Sequence, residues 1–171
     1  MEYCIVSDGT IQNVIVCAAA SEAKSLGAMP WYDGARIGDV YDPPATQEAK
    51  DQKQEQNKSA LSAWLAAHPL TWTDGKQYGV EEQDQNEMAL NLMQYQAAQT
   101  AQQTAPLEWH AQKEQCRSFT PEEYISLSMA ISAYVYPYRR YQESVKAAIY
   151  QAETQGALEA IAIDYSSVSN E

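Results

Sequence analysis

Residues 119–154 read FTPEEYISLSMAISAYVYPYRRYQESVKAAIYQAET. The start of this stretch is written for a helix. Thr120 stands at an N-cap, Pro121 at the first helical position, where its missing N–H does no harm, and Glu123 can reach back to the Thr120 N–H. A cap of this kind is worth about 1 kcal/mol. Beyond it, apolar or aromatic residues recur at Tyr124, Leu127, Ile131, Tyr134, Tyr138, Tyr141, Val145, Ala148 and Ala152. The alternating steps of three and four are heptad-like. Two arrangements satisfy such a stripe: a helix buried against other elements of its own chain, or a seam between copies. The flanking charges of a coiled coil are sparse. Pro137 lies within the span of the stripe but off its face, so a kink is expected there.

Working outward, LEWHAQKEQCRSF (107–119) reads as a β-ribbon or an extended loop. Residues 81–103 read as a helix, with Met88, Leu92 and Tyr95 on one face and Ala89 and Met93 beside them; it frays before Pro106. Residues 70–80, LTWTDGKQYGV, form a hairpin candidate around Asp74-Gly75. The helix-prone stretch 45–70 has hardly an apolar face in its first half, then Leu61, Trp64 and Leu65 on one stripe with Ala60 near it. It reads as a semi-rigid spacer that packs only at its C-terminal end.

The start of the chain carries the clearest local signal. In EYCIVSDGTIQNVIVC (2–17), two β-branched runs flank Ser7-Asp8-Gly9-Thr10, and Asp-Gly there suits a tight turn needing positive φ at both central positions. Tyr3 and Ile5 then face one side, Cys4 and Val6 the other. Residues 18–28 suit a short helix ending at Gly27. The turn-rich 29–44 offers a third short strand over 35–41 before Pro43-Pro44 stops it. Residues 157–168 read as a short helix or strand, and 166–171 as a loose tail. The expected fold is α+β: a small N-terminal antiparallel β unit over 1–42, a linker helix over 43–69, and over 70–171 a unit of short β-hairpins packed on two long helices.

Composition narrows the function. The chain has 171 residues and a formal charge of −12, which repels phosphate backbones and anionic membrane surfaces. No nucleic-acid or membrane partner is expected, and no apolar run approaches a membrane helix. Met1-Glu2-Tyr3 lacks the basic start of a leader. Cys4, Cys17 and Cys116 are too few and scattered for a disulfide framework, and suit free thiols in a reducing compartment. Twelve Tyr against one Phe point to half-buried surfaces, because each buried hydroxyl needs a partner.

No catalytic, metal-binding or cofactor-binding residues are assigned. His110 and Cys116 are close enough in sequence for a hairpin to bring them together, but a small buried thiol beside a rim imidazole explains them as well. His68 reads as a helix-ending residue. Two His and three scattered Cys make no zinc set. The acids Glu81, Glu82 and Asp84 sit where a helix dipole favours them. The interaction candidates are Tyr134, Tyr138, Arg139, Arg140 and Tyr141, a basic-aromatic cluster in an acidic chain, since Tyr and Arg are enriched where binding energy concentrates. Pairing of Arg139 and Arg140 with Glu143 is the plainer alternative.

The order TWTDGKQYGVEEQDQNEMALNL, then EWHAQKEQCRSFTPEEYISLSMAISAYVYPYRRYQESV, then ALEAIAIDY resembles the DUF4376 domain of phage and prophage tail-associated proteins. The resemblance spans about 70–171. It is carried by Asp74-Gly75, Asp84-Gln85, Trp109-His110-Ala111, Cys116-Arg117 and the proline-capped helix. Residues 1–16 and 27–44 look like the short N-terminal module such proteins often carry. The chain departs from the family at Glu81, where Thr or Ser is usual, at Gln112-Lys113, where Asp-Gly is frequent, and at Tyr138 to Tyr141, where members carry His and Cys. The resemblance implies a non-enzymatic structural or interaction protein of the tail tip, fibre or baseplate, or a fibre chaperone. Its partners would be other tail proteins or a second copy of itself, first in the cytoplasm of the bacterial host and then on the virion tail. The alternative is an acidic phage-encoded inhibitor that binds a basic surface of a host protein.

Overall fold

The computed structural model describes residues 1–169. Its elements are β1 (Glu2–Ser7), β2 (Thr10–Val16), α1 (Ala20–Ser25), β3 (Met29–Pro30), α2 (Gln47–Ala67), β4 (Leu70–Thr71), β5 (Gln77–Tyr78), α3 (Glu82–Thr100), β6 (Glu108–Trp109), β7 (Arg117–Ser118), α4 (Pro121–Gln151), α5 (Gln155–Glu159) and a 3-10 turn at Tyr165–Ser167. The fold is α+β, as the sequence pattern indicates. The chain forms two compact units, residues 1–50 with 150–161, and 51–149 with the residues from 162 onward. The breaks fall at 50/51, 149/150 and 161/162, not at the expected 42 and 69. Residues 170 and 171 of the expected loose tail lie outside the described residues, while Ser166 and Ser167 within it belong to the 3-10 turn.

In the first unit, β1 and β2 pair antiparallel from Glu2↔Val16 to Ser7↔Thr10, with an irregularity between Ile5 and Val6. Asp8 and Gly9 both take positive φ, 50° and 74°, which is the tight turn that Asp-Gly favours. Both faces of the ribbon are covered. Tyr3 packs with Cys17, Ala23 and Ile15, and Cys4 and Val6 with Ile11, Ala35 and the rings of Trp31, Tyr32 and Tyr41. Helix α1 ends at Gly27, where the Ala28 N–H donates to the Ala23 carbonyl at 2.9 Å and the Gly27 N–H to Lys24 at 3.1 Å, a Schellman stop.

The third strand is not the expected 35–41 but β3, which pairs with β1 and gives the order β2-β1-β3. Pro30 has no N–H to offer and sits in this outer strand, where proline is tolerated. Residues 38–41 do lie along residues 9–11, with Gly38 N–H donating to Ile11 at 2.8 Å and Tyr41 N–H to Gly9 at 2.8 Å. Only one ladder bridge forms there, Thr10↔Val40, because Gly38 turns the chain at φ 94°. The later stretch joins through Ala45 N–H to Glu153 at 2.9 Å and Gln155 N–H to Pro43 at 2.8 Å.

The second unit has a large apolar core. Leu61 and Leu65 of α2, Met88 of α3, the hairpin residues Tyr78, Trp109 and Phe119, and Tyr124, Leu127, Ile131, Val135 and Tyr138 of α4 all belong to it. Helix α2, read as a spacer, is a wall of this core over its C-terminal half. Helix α4 begins with the expected capping box: Thr120 N–H donates to Glu123 Oε2 at 3.0 Å, and Glu123 N–H to Thr120 Oγ1 at 3.2 Å. It continues through Pro137 without a break. From Tyr124 to Tyr138 its stripe is buried in the core of the second unit, so the intrachain reading of the heptad pattern holds over that span. Val135 and Ile149 are buried in place of the expected Tyr134 and Ala148. The stripe thus steps by four twice, from Leu127 to Ile131 to Val135, which keeps pace with a straight helix and not with a supercoil.

Residues 107–119 form the ribbon β6-β7, in register Glu108↔Ser118 and Trp109↔Arg117. It is tied to β4-β5 by a polar joint. Asp74 Oδ2 accepts from Tyr78 OH at 2.8 Å and from Arg117 at 3.1 Å, and the Arg117 guanidinium lies 3.7 Å above the Phe119 ring. Gln112 N–H donates to Gln77 at 2.7 Å, and Lys76 pairs with Glu114. Burial pushes the Asp74 carboxyl up, but the bonds from the Lys76 N–H, Tyr78 and Arg117 hold it below the usual carboxylate range.

Candidate interaction surface

The five residues singled out on α4 separate in the structure. Tyr138 is buried at 3% exposure in the core, with its ring 5.9 Å from Trp64 and 5.8 Å from Tyr134. It is a packing residue and offers no surface to a partner, because its position falls on the stripe. Tyr134 is half-buried and its hydroxyl donates to the His68 carbonyl at 3.1 Å. Burial, and then the neighbouring Tyr138, push its phenol above the ordinary value. The Tyr141 hydroxyl donates to Ala162 at 3.3 Å and accepts from the Asp164 N–H at 3.1 Å, so it fastens the returning chain.

Arg139 and Arg140 are exposed. Arg139 reaches Gln85 Oε1 at 3.3 Å, and the Arg140 guanidinium stands 5.9 Å from the Tyr136 ring. Glu143, the expected partner of one of them, pairs with Lys146 at 3.5 Å. The basic-aromatic surface therefore consists of Tyr136, Arg139 and Arg140, not of the Tyr134–Tyr138–Tyr141 stripe.

This surface extends along α4. Ile125, Met129, Tyr136 and Arg140 follow one another by four, seven and four residues, which places them on one face. Ile125 is 41% exposed, Met129 68% and Tyr136 61%. The sequence contained the signal, since these are the bulky apolar residues left over once the buried stripe is assigned. The stripe's slip from Tyr134 to Val135 hid it.

The remaining candidates fall into structural places. His110 Nδ1 and Cys116 Sγ are 3.9 Å apart on β6-β7, so the hairpin does bring them together. Cys116 is exposed, contrary to the buried thiol expected of it. Neither side chain has a further hydrogen-bond partner among the described residues. His68 closes α2 as expected, with Nδ1 2.7 Å from the Trp64 carbonyl and its ring stacked on Trp64 at 3.7 Å. Among the described residues no three His, Cys, Asp or Glu side chains gather where they could hold a metal ion, and no helix is long and apolar enough to cross a membrane.

No protein family, curated protein or solved structure matches this chain.

Proposed function

We propose that the chain is a non-enzymatic interaction protein of a phage or prophage tail, an accessory component of the tip, fibre or baseplate or a chaperone in fibre assembly. The exposed face of α4 carries the interaction reading. Isolated exposed apolar side chains are ordinary, but a row of them along one helix is a docking feature. Tyr136 and Arg140 at its end are of the kind that concentrates binding energy. The resemblance of residues 70–171 to the DUF4376 domain supports the tail setting. The residues that carry this resemblance are mostly those that build the frame under α4: Asp74 and Arg117 in the polar joint, Trp109 and Ala111 in the core. On this reading the protein is made in the bacterial cytoplasm and meets its partners, tail proteins or a second copy, during assembly.

The test is a Met129→Glu, Tyr136→Ala double variant expressed in place of the native chain in the producing host. Both side chains are largely in water, so its melting temperature should match the native one. Electron microscopy should show incomplete tails in the variant and complete ones in the native strain. Complete tails in the variant and in a strain lacking the chain would overturn the reading.

A further inference from the structure

The first unit contains a cavity of about 660 Å³ that the tail reading does not use. Trp31, Tyr32, Tyr41 and Pro44 line it, together with the carboxylates of Asp42 and Glu159; no Lys, Arg or His does.

Three observations define what it can take. The tyrosine hydroxyls are already engaged. Tyr41 OH donates to the Pro30 carbonyl at 3.0 Å, and Tyr32 OH accepts from the Asp42 N–H at 3.2 Å. The two rings meet edge to face at 5.6 Å, so their half-buried faces are what remains to be covered. The indole N–H of Trp31 has no partner among the described residues, and an indole can only donate. The charge is all negative. The Asp42 carboxyl is held below its ordinary range by hydrogen bonds from Thr154 and the Gly156 N–H.

We propose that this groove binds a proline-rich segment in the polyproline II conformation that carries a basic residue. Such a segment has no internal hydrogen bonds, so its carbonyls are free to accept from Trp31. Its prolines offer flat apolar faces to aromatic rings and lose little conformational freedom on binding. A Lys or Arg within it meets Asp42 and Glu159. A helical peptide would arrive with its carbonyls already satisfied, and a phosphate would meet the Asp42 and Glu159 carboxylates and no cation. The proposal stands independently of the tail reading, because it concerns binding by the isolated full chain.

The experiment follows the four Trp indole N–H resonances of the full chain during titration with a synthetic peptide of proline pairs separated by arginines. The controls are a Gly-Ser peptide with the same arginines and the proline peptide with Glu in place of Arg. The Trp31 signal should move with the first peptide and stay still with both controls. Trp31→Phe keeps a ring but removes the donor, and should weaken binding about fivefold, the weight of one net hydrogen bond. Glu159→Gln, in a short exposed helix, should weaken binding about threefold, as for a partly solvated ion pair. A still Trp31 signal, equal binding of the Gly-Ser peptide, or native affinity in both variants would overturn the proposal.

Discussion

Asn57 shows how much one polar residue can hold at the residue scale. It is 1% exposed, its Nδ2 donates to the Gln142 carbonyl at 3.1 Å, and its Oδ1 accepts from Tyr165 OH at 2.7 Å. The three residues come from α2, α4 and the terminal 3-10 turn, so one amide fastens three segments of the second unit. Asn57→Leu would leave the Tyr165 hydroxyl buried without that acceptor, at a cost of about 1–3 kcal/mol. Urea unfolding should show this loss, and adding Tyr165→Phe should recover part of it, because no buried hydroxyl is then left with only the long 3.4 Å bond to the backbone carbonyl of residue 57. A full additive loss in the double variant would refute the pairing. The same hydroxyl sets an alkaline limit. Burial, and then Tyr141, raise the Tyr165 phenol from 10 to about 12. Between those values the folded chain keeps a proton that the unfolded chain has lost, so rising pH favours unfolding. The contribution is complete below pH 10 and disappears as pH rises through about 12. The urea midpoint should therefore fall across that window, and less steeply in Tyr165→Phe. The shifts of Tyr41, Tyr78, Tyr124 and Tyr134 go the same way and leave a residual slope. None of this was legible locally. Asn57 sits among Gln, Lys and Glu, as a solvated face would, and its burial depends on a tyrosine far along the chain.

At the scale of the element, the start of α3 turns on a glycine. Glu81 is its N-cap, and the Asp84 carboxylate reaches back to the Glu81 N–H at 3.0 Å. A Cβ on Gly79 would fall 2.3 Å from Asp84 Oδ2 and 2.8 Å from its Cγ, so Gly79→Ala must push the capping side chain away. The loss should be that of a cap, about 1 kcal/mol. Asp84→Ala should cost a similar amount. The two changes should not add, because in the Asp84→Ala background the carboxylate that the new methyl would displace is gone. Thermal unfolding of the four members of this cycle measures the coupling, and simple additivity would rule out the steric account. Elements with local signals were readable in advance: the Asp8-Gly9 turn, the Gly27 stop, and the Thr120–Glu123 box each depend on residues within one turn of one another. Strand β3 was not, because Met29-Pro30 has no strand pattern and becomes a strand only by lying against Tyr3 and Cys4. The α4 surface was half readable. Arg139 and Arg140 were found, but the aromatic candidates were taken from the stripe itself and Met129 and Tyr136 were overlooked, because a fixed heptad put Tyr134 where a straight helix buries Val135.

At the scale of the whole molecule, each unit is assembled from two separate stretches of chain. Sequence composition changes at 42 and 69 and invites cuts there, but the contacts that close each core cross those points. Residues 70–171 would lack Leu61 and Leu65, which are 6% and 4% exposed. Burial of such side chains is worth about 1.5–3 kcal/mol each. Asn57 and the partly buried Trp64 would go with them. A typical domain has about 5–15 kcal/mol of net stability, so removing one wall of the core consumes much of it and leaves Tyr138 and Tyr165 facing water. A fragment of residues 70–171 should therefore keep helical far-ultraviolet circular dichroism but lose cooperative melting and the near-ultraviolet signal of its tryptophans. A fragment of residues 47–171 retains every residue of the second core and should melt in one transition. If the shorter fragment melted as sharply as the longer one, α2 would be the spacer that its polar first half suggests, and the core of the second unit would not need it.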